Sequence, residues 1–159
     1  MDGVTPRAAR LAPVGDDHDT GGFFEAARRH ELVIRRCDGC DAVLHLPRAY
    51  CRHCGGWDGR WQPVAGTATL YSWTVVEHQV HPAYPVPYCV VLVQLDDVPA
   101  ARLVGYLPGR PALTPGQPMR VWFETLDDGT DEGVVVPQWK PEQGAEDADR
   151  PVGVQHGRA

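Results

Sequence analysis

Lysine is nearly missing from this chain. Lysine and arginine together number 15 in 159 residues, and Lys140 is the sole lysine, so fourteen arginines supply the other cations. Against 21 acidic residues the net charge is −6, which gives no general attraction toward nucleic acid. No run of about 18 apolar residues occurs, so no membrane-spanning helix is expected. The opening Met1-Asp2-Gly3-Val4-Thr5-Pro6-Arg7 has no apolar stretch behind basic residues, and a secretory signal peptide is not expected either. The cysteines are therefore placed in a reducing, cytoplasmic setting, where paired Cys points to metal rather than disulfide. Also absent are a glycine-rich phosphate loop and any serine or aspartate set beside His78 or His81 as a catalytic triad requires.

The charge that is present lies unevenly. Between Arg28 and Trp61, Arg28, Arg29, Arg35, Arg36, Arg48, Arg52 and Arg60 outnumber Glu31, Asp38, Asp41 and Asp58. From Gln62 to Trp139, Arg102, Arg110 and Arg120 face Glu77, Asp96, Asp97, Glu124, Asp127, Asp128, Asp131 and Glu132. A basic first part is joined to an acidic second part.

Residues 1–21, rich in Ala, Pro, Gly and Asp without a period, read as a disordered leader or linker, and residues 141–159 as a flexible tail. Thr20 is suited to cap a helix starting near Gly22, with Phe23, Phe24 and Ala27 on its apolar side. Leu32 to Arg36 reads as a strand. Residues 22–61 thus hold a helix and a cysteine-rich unit, and residues 62–140 hold strands. Thr67–His78 is β-branched and aromatic, and simple alternation puts Thr69, Tyr71, Trp73 and Val75 on one face and Leu70, Ser72, Thr74 and Val76 on the other. Pro82, Pro85 and Pro87 force a loop. Tyr88–Leu95 is apolar throughout and reads as a strand covered on both faces; Ala101–Leu107, Pro118–Leu126 and Gly133–Trp139 follow. Five short strands with turn-rich spacing predict a mainly β fold ending in a small OB-fold barrel.

Cys37-Asp38-Gly39-Cys40 and Cys51-Arg52-His53-Cys54 are two C-x-x-C pairs with ten residues between them. Zinc takes four thiolates tetrahedrally at about 2.3 Å, and two cysteines three apart on a tight turn point both sulfurs at one ion. Gly39 permits the first turn, a hairpin through Leu44–Tyr50 returns the chain, and Gly55-Gly56 releases it. The same pattern takes iron in some proteins. Four cysteines fill the sphere, so His45 and His53 are read as surface residues and the Zn²⁺ as structural, adding folding energy to a unit too small for its own core. Cys89, the cysteine outside the pairs, lies in an apolar strand and is read as buried.

The chain resembles the domain-of-unknown-function-35 family. The resemblance rests on the amphipathic helix, the four cysteines with Pro47-Arg48 before the second pair, Gly66-Thr67 opening a Tyr71/Trp73/Thr74 strand, the proline-rich loop, Val90–Asp96, Gly116–Val121 and Val136-Pro137. It covers roughly residues 22–141. One departure is Asp41, where the family usually has Gly, and it bears on the turn rather than the ligands. The resemblance implies a rubredoxin-like zinc ribbon followed by an OB-fold. It also implies a non-catalytic partner of thiolase-fold enzymes or acyl-CoA hydratases that helps form the acyl-CoA channel. In actinobacterial steroid side-chain degradation, a domain of this kind is paired with or fused to a hydratase and binds a thiolase-like aldolase.

An acyl-CoA asks for a few arginines on its phosphates and an aromatic on its adenine. Arg48 and Arg52 are candidates for the first, Tyr71 and Trp73 for the second. The plainer alternative is that the arginines solvate the ribbon and the aromatics fill the barrel. Phe23, Phe24, Trp57, Trp61 and Trp122 are many large groups for a small chain, and some are expected in a protein interface. The competing reading is a single-strand nucleic-acid binder stacking bases on Tyr71, Trp73 and Tyr88. It is disfavoured because the barrel that would form the groove is acidic.

Overall fold

In the computed structural model, residues 10–127 and 133–142 are described. Most of the expected tail, and residues 1–9 of the expected leader, lie outside that range. Residues 10–20 are not a loose linker: Ala12 packs on Leu126, Val134 and Val136, and Arg10 binds Glu124.

Helix α1 spans Gly21–Arg28. Thr20 precedes it, but its side chain does not cap the helix as expected. Its hydroxyl donates instead to the Asp17 carboxylate, which also accepts the N–H groups of Asp19 and Thr20 at 2.8 and 3.0 Å. The Asp17 carboxylate thus draws the Thr20 oxygen away from the helix end. The other end closes in a Schellman motif. Glu31 N–H bonds Ala26 O, His30 N–H bonds Ala27 O, and His30 takes the left-handed conformation at φ 58°. Ala26 and Ala27 are buried and Phe23 and Phe24 are half-buried, so the apolar side lies on the barrel.

Strand β1 (Val33–Cys37) pairs antiparallel with β2 (Gly59–Pro63). Sequence patterning does not reveal β2, because Gly-Arg-Trp-Gln-Pro has neither alternation nor β-branched residues. Its pairing is imposed by the two cysteine turns that bring it back beside β1.

The five expected barrel strands form as β3 (Thr67–Val76), β4 (Tyr88–Leu95), β5 (Arg102–Pro108), β6 (Pro118–Leu126) and β7 (Val134–Pro141), all antiparallel in the order β5-β4-β3-β6-β7. The outer strands β5 and β7 meet. Gly105 lies so near Trp139 that a Cβ there would be 2.9 Å from the indole Cδ1. Gln138 Oε1 accepts the Tyr106 N–H at 2.8 Å, bridging the seam with a side chain. This is the five-stranded, partly open barrel of an OB-fold.

Two expectations about the strands need correction. Alternation along β3 breaks at Tyr71, an extra residue between the Leu70↔Val93 and Ser72↔Leu92 pairs. The bulge puts Trp73 and Val75 on the same inward face as Ala68 and Leu70 and turns Tyr71 outward. Strand β4 is not covered equally on both sides: Cys89, Val91, Val93 and Leu95 are buried, whereas Tyr88, Val90, Leu92 and Gln94 are half-covered.

The core centres on Trp139, Leu70, Met119, Val91, Val93 and Leu95, each such side chain stabilising the fold by roughly 1.5–3 kcal/mol. Leu32 and Ile34, from the chain entering the ribbon, belong to the same cluster. Ribbon and barrel therefore share a core, and β2 runs across residue 61. Among the described residues, no helix is long and apolar enough to cross a membrane.

Candidate functional site

The four paired cysteines converge. Cys37 ends β1 and Cys51 opens the second turn; both are buried, while Cys40 and Cys54 face outward. All four sulfurs lie within 4.8 Å of one another, with Cys37–Cys54 at 3.4 Å and Cys40–Cys51 at 3.7 Å. A tetrahedron with metal–sulfur bonds of about 2.3 Å has edges of about 3.8 Å. The donor set and its spacing thus fit a zinc ion.

The two turns are built alike. The Asp41 N–H bonds the Cys37 carbonyl and the Gly55 N–H bonds the Cys51 carbonyl, both at 2.9 Å. The residue after each second cysteine is left-handed, Asp41 at φ 58° and Gly55 at φ 78°. Asp41 holds that conformation with help: Arg60 binds its carboxylate and that of Asp38, and Arg36 Nη1 donates to its carbonyl at 3.1 Å.

Backbone N–H groups are aimed at the sulfurs. Those of Cys54 and then His53 bring the Cys51 thiol down to about 7. The Ala42 N–H acts the same way on Cys40, but desolvation and the crowding of Cys54, Cys51 and Cys37 push that thiol up to about 12. Four thiols so close cannot all ionise without a cation among them.

Neither neighbouring histidine joins the sulfurs. His53 is exposed, as expected. His45 is not a plain surface residue: its Nε2 lies 2.6 Å from the Arg102 carbonyl, tying the ribbon hairpin to β5. Burial lowers its pKa from 6.5, opposed by that hydrogen bond.

Of the residues suggested for CoA, Arg48 and Arg52 share one groove with Val43, Leu44, His45, Leu46 and Tyr50. Tyr71 and Trp73 do not reach it together: Trp73 packs on the barrel core, and the Tyr71 ring is covered by the Arg102 guanidinium at 3.7 Å. Of the suggested interface aromatics, Phe23 packs on the barrel core and Phe24 on Leu126, Val134 and Val136. Trp61 lies so close to Gly22 that a Cβ there would collide with its indole nitrogen, and it sits under the Arg35 guanidinium. Trp122 is half-buried. Trp57 alone of the five is exposed, 5.3 Å from the Tyr50 ring.

A second feature escapes the sequence reading. Tyr84, Tyr88 and Tyr106 form an aromatic groove, with ring centroids 5.2–6.1 Å apart. The Arg10 guanidinium lies 4.4 Å over Tyr106 while its Nη1 bonds both Glu124 oxygens at 2.7 Å. Leu11, Val80 and Val104 line the groove and are exposed. Tyr84 and Tyr88 bracket the last prolines of the loop, but only barrel curvature brings Tyr106 to them. Nearby, Cys89 is buried with its thiol raised by desolvation, and its Sγ lies 3.6 Å from the Gly109 carbonyl. His81 Nδ1 accepts the Ala83 N–H at 3.2 Å and shapes the loop.

Comparison with known proteins follows the same division of the chain. Residues 24–58 match the family described as the ChsH2 rubredoxin-like zinc ribbon domain, and residues 61–124 the ChsH2 C-terminal OB-fold domain. A solved structure, the Ltp2-ChsH2(DUF35) aldolase, contains a chain 34% identical to this one, with a TM-score of 0.69 over 83% of this chain and 98% of that one. The chain belongs to the ChsH2 (DUF35) family.

A curated relative, the "Probable enoyl-CoA hydratase alpha subunit" of Thermomonospora curvata, is 41% identical over 104 residues, 65% of this chain and 32% of that protein. The chain thus spans about a third of that relative's length. A DUF35 protein of unknown function from Sulfolobus solfataricus shares the fold at 16% identity and TM-score 0.50, over 64% of this chain and 75% of that one. Membership of the ChsH2 family identifies the sulfur cluster as that of a zinc ribbon, with Cys37, Cys40, Cys51 and Cys54 as the residues able to hold the ion. Four thiolates would leave a bound ion no open position, and its contribution would be to hold the two turns together.

Proposed function

We propose that this chain is a non-catalytic accessory subunit or domain that works in the cytoplasm, binds a thiolase-fold acyl-CoA enzyme and helps form its acyl-CoA channel. A steroid-CoA retro-aldolase is the favoured enzyme and a hydratase a further neighbour. The reading is carried by the likeness to the Ltp2-ChsH2(DUF35) aldolase over nearly the whole of that solved chain. The reactive groups of the described residues support it. Four cysteines are gathered as metal donors, Cys89 is buried, and His45 and His81 are occupied by backbone partners. The exposed apolar rim of Leu11, Val80 and Val104 around the tyrosine groove suits a protein interface better than solvent.

The test mixes the zinc-loaded chain with a thiolase-fold enzyme encoded beside it and follows association and acyl-CoA cleavage. The chain alone is expected to be inactive and the mixture active, over an interface of at least about 1,000 Å² whose affinity depends weakly on salt. Cys89→Ser and His81→Ala should leave the chemical step of the mixture unchanged. Turnover by the chain alone, lost on either substitution, would overturn the non-catalytic reading. Tight binding to a single-stranded oligonucleotide with a log–log salt slope near −0.7 per phosphate contact, beside no enzyme binding, would replace the partner reading with nucleic-acid recognition.

A further inference from the structure

We infer that the ribbon hairpin is the seat of a phosphate-bearing adenine nucleotide. Arg48 and Arg52, with Arg102 on the adjoining barrel edge, take the phosphates, and Tyr50 with Trp57 takes the base. The inference rests on the proposed function for its choice of a CoA-type head group. It replaces Tyr71 and Trp73 as the aromatic part of that site.

Charge pairing is the first ground. Arg10, Arg28, Arg29, Arg36, Arg60, Arg110 and Arg120 each lie within 4.0 Å of a carboxylate. Among the described residues, Arg35, Arg48, Arg52 and Arg102 make no such pair, and Arg35 is buried beside Trp61. The other three are exposed and border neighbouring grooves that share His45 and Leu46. In a chain of net charge −6, arginines left without carboxylates at one junction are suited to an anion from outside. A guanidinium fork fits phosphate oxygens in two-pronged fashion.

The junction is also held in place. Ala49, between Arg48 and Tyr50, is buried, and its N–H donates to the Asp19 carboxylate at 2.7 Å. His45 ties the hairpin to the Arg102 carbonyl at 2.6 Å, and the Arg102 side chain is fixed on Tyr71 and by Gln94 Oε1 at 3.2 Å. Less ordering entropy is then lost when a ligand arrives.

The aromatics decide the ligand class. Tyr50 and Trp57 are 46% and 66% exposed, with rings 5.3 Å apart and tilted by 58°. Neither belongs to a buried cluster, and Tyr50 lines the same groove as Arg48 and Arg52. A bare phosphate has no use for a stacking surface, whereas a nucleotide supplies a flat ring together with phosphates.

The zinc-loaded chain is titrated with adenosine 3′,5′-bisphosphate, following tryptophan fluorescence and heat. Inorganic phosphate and a single-stranded oligonucleotide are run in parallel. Saturable binding displaced by CoA is expected, with inorganic phosphate far weaker. Arg48→Gln and Arg52→Gln should each weaken binding about tenfold, as for a lost charge-assisted contact. Trp57→Ala should weaken it by a similar factor, read by heat because the fluorescent reporter is removed. All these positions are exposed, so zinc content and melting should be unchanged in the variants. Absence of binding, affinity indifferent to the arginine variants, or tighter binding of the oligonucleotide would each overturn the inference. Association with the thiolase-fold enzyme is measured on the same variants and should persist. If the arginine variants lose the enzyme instead of the nucleotide, this face is a protein interface and the inference fails while the proposed function stands.

Discussion

The Arg60 guanidinium binds the carboxylate of Asp41, fixing a non-glycine residue in the left-handed conformation that closes the first cysteine turn. The equivalent place in the second turn is Gly55, which needs no such support. The ion pair is exposed and weak in itself. Its role is to aim a side chain that would otherwise gain nothing from φ 58°.

Removing the carboxylate but keeping a Cβ should therefore hurt more than removing both. Asp41→Ala is expected to lower stability by about 0.5–1 kcal/mol, because the Cβ cost of the left-handed conformation stays while the carboxylate contacts that offset it are lost. Asp41→Gly should change it by less than about 0.5 kcal/mol. Urea unfolding of the zinc-loaded chain reads the difference, and equal losses for the two variants would show that the turn does not depend on this residue.

Freshly purified protein should carry one Zn²⁺ per chain, and Cys→Ser at position 37, 40, 51 or 54 should lose it and melt the ribbon before the barrel. Binding must strip protons from thiols such as Cys40, raised to about 12, whereas Cys51 at about 7 gives up its proton readily. The affinity should accordingly rise with pH and fall as the solution is acidified. Chelator competition at about pH 6 and about pH 8 measures the slope, and a flat profile would contradict thiolate ligation.

Barrel closure should be sensitive at two positions. Gln138→Leu strands the Tyr106 N–H, at an expected cost of about 1–3 kcal/mol. Gly105→Val forces methyl groups into Trp139 and should cost about 1–3 kcal/mol. Denaturant melts with tryptophan fluorescence report both; losses within error would mean that β5 and β7 are not held together at this seam.

His45 should give the fold a mild acid sensitivity. Burial holds its folded pKa below the ordinary 6.5. Above that value the ring is neutral in both states and nothing is lost. As pH falls below it, the unfolded chain takes the proton first, so stability declines until the folded histidine also protonates. His45→Gln should flatten the stability profile below about pH 6.5. An unchanged profile would assign the acid sensitivity to other groups.

The sequence by itself determined the metal donors, because two C-x-x-C turns are local geometry and need only a hairpin to meet. It also determined the five barrel strands, whose β-branched and apolar runs are bounded by proline, glycine and aspartate, and the burial of Cys89. Tertiary structure decided what depends on partners distant in the chain. Strand β2 exists because the two cysteine turns return it to β1, and its own residues carry no strand signal. The bulge at Tyr71 depends on register with β4, and this one residue sends Trp73 inward. Tyr84, Tyr88 and Tyr106 become a groove only when the sheet curls, and Arg10 reaches Glu124 across 114 positions of sequence. Local spacing can state which residues are able to bind a metal. Which aromatics stay exposed is settled only after the core has taken what it needs, and that is why Trp57 stands open while Trp61 and Phe23 do not.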